Sequence, residues 1–180
     1  MAVRTGPLRR TWAAYAASGC AALFTAVSLY WAAGGTALLN TVGGFAVQAS
    51  RSSGAAGAAI IWGAVVLKAA GAVMPLWFVR TWGALIRPRW RTAIAAAAAA
   101  ILMLYGAVEV TGEALVELGA VRPAGHPDWL ALRWHLALWD PWFLLWGVLL
   151  AIAAWQFARQ RGPASPRVND GDAEAGMVRS

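Results

Sequence analysis

Four apolar runs, each about as long as a membrane is thick, leave a chain of this size few folds to choose from. A hydrocarbon core of ~30 Å takes roughly 20 helical residues at 1.5 Å each. Four stretches of the 180-residue chain meet that length, at about 12–33, 56–79, 92–114 and 136–158. Backbone groups in lipid must find their hydrogen bonds within the segment, so each run is expected to be a helix. The fold class that follows is all-α, an integral membrane bundle of four transmembrane helices occupying residues 1–158. The polar end, 159–180 ("RQRGPASPRVNDGDAEAGMVRS"), has little to bury and is expected to be a disordered cytoplasmic tail. The first run follows Arg4, Arg9 and Arg10, as a signal peptide would, but it is longer than a 7–15-residue signal core and reads as a retained span.

Composition agrees. The chain is 60% hydrophobic and only 13% charged, against about half and a quarter in soluble domains. A net charge of +7 would suit nucleic acid, but the arginines lie between apolar runs instead of forming a stripe with interleaved stacking groups. The partner expected is the lipid bilayer, not nucleic acid. Cys20 is alone, which excludes an intramolecular disulfide or a thiol redox pair and leaves a packing role.

Arginine placement sets the expected orientation. Arg4, Arg9, Arg10, Arg80, Arg87, Arg89, Arg91, Arg159, Arg161, Arg167 and Arg179 fall on one side, and Arg51, Arg122 and Arg133 on the other. The positive-inside rule then puts both termini in the cytoplasm of a multi-pass protein of the plasma membrane. Trp12, Trp77, Trp82, Trp90, Trp129, Trp134, Trp139, Trp142 and Trp155 lie near predicted span ends and are expected to anchor the interfaces.

Lys68, the only lysine, sits ~17 Å from the cytoplasmic end of its run by helical rise. A charge at a span centre costs at least ~2.5–3.5 kcal/mol, so a partner is expected. Glu109, at roughly 24 Å, and Asp140, at roughly 27 Å, are the acids nearest in depth, and a flexible lysine stem can reach outward to them. Tyr105 shares the Glu109 face at i−4. Glu109, Glu113 and Glu117 form one stripe, of which Glu113 and Glu117 are expected to be solvated as the helix emerges.

"RWHLALWDPWFLLWG" (133–147) is the densest constellation. Asp140-Pro141 admits two structures. Either Asp140 caps a helix that starts at Pro141, or the helix starts near Trp129 and Pro141 kinks it. Arg133, His135 and Asp140 are candidates for proton handling, since histidine titrates near neutral pH. With one histidine here and His126 in a loop, no metal site is expected. The polar cluster predicted from sequence is therefore Tyr30, Lys68, Tyr105, Glu109, Arg133, His135 and Asp140, either structural or binding a small ligand or partner.

No nucleophile elbow, phosphate-binding glycine loop or paired-histidine motif is present, so no cofactor and no catalytic residue is assigned. The glycines of "YWAAGGTALLNTVGGFAVQ" read as a helix end and a turn. Two alternatives accompany the non-enzymatic expectation. One is a transporter-like protein or proton relay using Lys68 with Glu109 or Asp140. The other is a membrane-embedded enzyme acting on a lipid or quinone. A 19.0 kDa chain is small to enclose a path alone, which favours a membrane-protein partner or a homo-oligomer.

"SLYWAAGGTALLNTVGG" (28–44) and "RWHLALWDPWFLLWG" (133–147), with the span arrangement, resemble the uncharacterised four-span bacterial membrane proteins grouped as domain of unknown function 3995. The resemblance implies a small bacterial membrane protein and supplies no activity.

Overall fold

The computed structural model describes residues 11–43, 55–123 and 125–160. Among these every regular element is helical. Helix α1 runs Trp12–Ala32. Helix α2 runs Ala55–Val73 and tightens into 3-10 turns over Met74–Phe78, where Pro75 has no amide to continue the ladder. A second 3-10 piece, Thr81–Leu85, leads to α3, Pro88–Glu117. The fourth span is composite: α4 (Trp129–Trp134), a π-helical turn (His135–Trp139) and α5 (Asp140–Arg159).

Among the described residues four stretches are long and apolar enough to cross a membrane, namely Trp12–Ala32, Ala55–Phe78, Pro88–Glu117 and Trp129–Arg159. The protein is an all-α, multi-pass membrane bundle. Two spans are longer than the sequence suggests. Pro88, pre-set for a first helical position, starts α3 four residues earlier than expected. The fourth span starts at Trp129, where Oδ1 of Asp128 accepts from the amides of Leu130 and Ala131 at 3.1 and 3.2 Å. Asp140 is therefore not a cap; of the two structures open to Asp140-Pro141, the chain adopts the continuous helix. The expected tail beyond residue 160, Arg51 and the first ten residues lie outside the described residues.

Lipid tails are as apolar as leucine, so helices associate through close packing and not by hiding from water. Small residues make that packing possible. Ala17, Ala21, Ala95, Ala99 and Ala154 are all but fully buried around Trp77, Trp146 and Leu150. The largest interface joins α3 and α5, and α1 packs on α2 and on α5. At the α3–α5 crossing a methyl on Gly106 would stand 2.9 Å from the Asp140 carbonyl oxygen, and one on Gly147 would stand 3.0 Å from that of Ala99. Neither position has room for a side chain. These two contacts also make α3 and α5 antiparallel.

One end of the bundle gathers Ala13 and Ala14 of α1, Phe78 and Ala153. Here Arg91, expected as an exposed loop charge, is buried: its Nη1 donates to the Trp77 carbonyl at 2.7 Å, and its guanidinium lies 4.6 Å from the Phe157 ring centroid. Trp77 and Trp139 are core residues and not interface anchors, at 8% and 3% exposure. Trp12, Trp82, Trp90, Trp129 and Trp155 are exposed on the bundle, as belt residues are.

At the other end α1 closes as the glycine pair suggests. Gly34 takes φ 93°, and the amides of Gly34 and Gly35 return to the carbonyls of Trp31 and Tyr30 at 3.0 and 2.9 Å, a Schellman turn. The chain then makes a short 3-10 turn, Leu39–Thr41, that packs on α4.

A buried carboxyl pair and an imidazole at one end of the bundle

Pro141 sets the geometry of the candidate site. Its ring would strike the carbonyl one α-turn earlier, and it has no amide to donate. The chain widens upstream of it into the π-turn His135–Trp139. In an α-helix residues five apart point about 140° away from each other. A π-turn closes i to i+5 and stacks them. His135 and Asp140 are five apart, and their side chains meet: Nδ1 lies 3.1 Å from Oδ2. Asp140 is completely buried.

The third member comes from α3. Glu113 is seven residues beyond Gly106, two turns along the same face. The close approach at Gly106 thus carries Glu113 to the π-turn, where its Oε1 stands 3.7 Å from His135 Nδ1. Its carboxyl also lies within hydrogen-bonding reach of that of Asp140. One donor atom from each of Glu113, His135 and Asp140 falls within 4.8 Å of the others.

Ionised carboxylates accept and do not donate, so two facing each other must share a proton or meet a donor or a cation. Among the described residues no donor reaches two of the four oxygens: Oδ1 of Asp140 and Oε2 of Glu113 are buried without a hydrogen-bond partner. Unpartnered buried acceptors are expensive in any protein, and more so at membrane depth.

Its rim is fixed by the segment after α1. Thr41, 3% exposed, accepts from Trp139 Nε1 at 3.1 Å and donates to the Leu38 carbonyl at 2.6 Å. The Val42 backbone reaches the His135 ring. Phe24 of α1 stacks on Trp139 with ring centroids 6.0 Å apart. His135 and Glu113 keep side-chain exposures of 27% and 19%, so both reach the surface of the bundle.

A family model described as "Protein of unknown function (DUF3995)" matches residues 21–150. The chain belongs to this family. No curated protein and no solved structure matches it. The DUF3995 region contains all three members of the cluster, the π-turn and the Gly106 crossing, and it stops short of the polar end.

Within that region the residues singled out from sequence part company. Only His135 and Asp140 meet. Lys68 pairs with neither Glu109 nor Asp140; its Nζ donates to Ser28 Oγ at 2.7 Å and lies 4.0 Å from the Phe24 ring centroid. Ser18 Oγ donates to the Ala72 carbonyl at 2.6 Å, a contact that puts Lys68 level with about Ala22. The stem therefore runs several ångströms along the bundle to Ser28, as a snorkelling lysine does. Phe24 touches both Lys68 and Trp139, so an aromatic ring, not an ion pair, joins Lys68 to the acidic end.

Glu109 is half-buried and takes part in none of the ion pairs among the described residues. Tyr105 is 46% exposed, packs edge-on against Phe143 and lies close enough to Glu109, Asp140 and Glu113 to feel their charge. Arg133 is exposed and donates Nε to Glu117 Oε1 at 3.1 Å. Tyr30 is also exposed, and its hydroxyl accepts from the Ala37 amide at 3.3 Å within the turn after α1.

Glu113 is the residue that sequence reasoning passed over. Depth counting favoured Glu109, which is nearer mid-span, and treated Glu113 as solvated. The signal that would have found it is the small-residue stripe Ala95, Ala99, Gly106. That stripe marks the α3 face turned to α5, and two turns further it reaches Glu113.

Proposed function

We propose that this protein is a non-enzymatic, multi-pass protein of the bacterial plasma membrane, with both termini cytoplasmic, whose Glu113–His135–Asp140 cluster binds a small cation. The arginine distribution supports the orientation, with eleven on the side of the termini and three on the other. In that orientation the cluster lies toward the outer face, 19 residues or roughly 28 Å of helix from Arg159. The observation that carries the binding function is the pair of buried carboxyl oxygens, on Asp140 and Glu113, that no donor among the described residues reaches. A relay through Lys68 has no comparable support, because its ammonium is already engaged by Ser28 and Phe24.

The test is thermal unfolding of the full chain in lipid nanodiscs across a series of small cations, inorganic and organic, with Asp140→Asn as control. Stabilisation by at least one cation in the wild type, absent in the variant, supports the proposal. A wild type indifferent to every cation refutes it.

A further inference from the structure

We propose that Glu113, His135 and Asp140 form a site for a divalent first-row transition-metal ion such as Zn²⁺, Mn²⁺ or Fe²⁺. This rests on the cluster being a cation site and names the cation.

Charge selects a divalent ion. Two carboxylates bring −2 into a place where Asp140 has no solvent exposure at all. A divalent ion neutralises them, whereas a monovalent ion leaves a net charge buried. Donor type selects a transition metal. Mg²⁺ and Ca²⁺ prefer oxygen alone, while one imidazole nitrogen with two carboxylates suits Zn²⁺, Mn²⁺ and Fe²⁺.

Geometry agrees as well. Ligands bound at ~2.0–2.2 Å with angles of 90–110° stand roughly 3.0–3.5 Å from each other. The Nδ1–Oδ2 distance of 3.1 Å lies in that range, and the Nδ1–Oε1 distance of 3.7 Å lies just above it. The third edge closes within the 4.8 Å that contains all three donor atoms. The orphaned oxygens, Oδ1 of Asp140 and Oε2 of Glu113, become free for bidentate binding.

Three protein ligands leave at least one coordination position open. That distinguishes an exchangeable or reactive site from a closed structural one, which takes four. His135 and Glu113 reach the surface of the bundle, from which an ion and its water enter. The π-turn supplies the register that stacks His135 on Asp140, and Gly106 supplies the approach that adds Glu113.

The full chain, stripped with chelator and reconstituted in nanodiscs, is titrated calorimetrically with MnCl₂, ZnCl₂, CoCl₂, MgCl₂ and CaCl₂. Visible spectra of the Co²⁺ form report nitrogen and oxygen ligation. One equivalent of transition metal is expected to bind, with no Mg²⁺ or Ca²⁺ binding at the same concentrations. Glu113→Gln and Asp140→Asn should each weaken binding by at least about 100-fold, the upper end of what even supporting residues contribute. His135→Gln should move or abolish the Co²⁺ bands. Unaltered metal affinity in both carboxyl variants overturns the site, as does equal affinity for Mg²⁺. If only monovalent or organic cations stabilise the chain, the metal assignment fails and the cation site stands. If no cation does, both fail, and the carboxyls share a proton.

Discussion

The two ends of the bundle each bury a charge, and they treat it differently. Around Arg91 the protein supplies a matching acceptor and a ring, with the Trp77 carbonyl taking Nη1 and the Phe157 ring beneath the guanidinium. Around Asp140 it stops short: His135 serves one oxygen, Glu113 adds a second carboxyl, and Oδ1 receives no donor. Lys68 falls between the two, held by a hydroxyl and a ring part-way along α2. A buried charge that meets a group of opposite character within its own fold is a structural device. A buried carboxyl pair with two oxygens left without a donor points to something that comes from outside.

That contrast can be broken from either side. The largest effect is expected at Arg91. Arg91→Met leaves the Trp77 carbonyl without its charged donor and should cost about 2–3 kcal/mol in denaturant unfolding. A loss under about 0.5 kcal/mol would mean this end is not held by its buried charge. Gly106→Ala should come next, at about 1–3 kcal/mol, because the added methyl has only the Asp140 carbonyl and Leu144 to press against. Metal affinity should fall with it, since Glu113 retreats from the π-turn; an unchanged affinity would separate the crossing from the site.

Lys68→Met should have the smallest effect, under about 1 kcal/mol, because losing one hydroxyl bond is offset by removing a costly charge from the bilayer. In a double-mutant cycle Lys68→Met and Glu109→Gln should be additive within about 0.5 kcal/mol. Coupling well above that would restore the ion pair that the sequence suggests.

The membrane architecture was legible from sequence because apolar length and Pro and Gly punctuation determine it. All four spans, the turn at Gly34 and the solvated role of Glu117 follow from such local rules. Two of the three cluster members were legible too, as His135 and Asp140 stand out by chemical type. Lateral register was not. Depth along a helix said how far Lys68, Glu109 and Asp140 lie from the membrane faces, but not which way each points around its axis. The π-turn also escaped, although it is what brings residues 135 and 140 together, because periodicity assumes 3.6 residues per turn throughout. Arg91 shows the same limit: counted as a topological charge beside its loop neighbours, it turns inward on α3.

The central claim is that the Glu113–Asp140 pair keeps two oxygens without a donor until a cation arrives. Its most direct test compares the unfolding stability of wild type and Glu113→Gln, both in chelator with no added metal. The glutamine amide gives Asp140 the donor it lacks, so the variant should be the more stable by about 1–2 kcal/mol. A variant less stable than wild type under those conditions would show the pair to be satisfied already and would contradict the account.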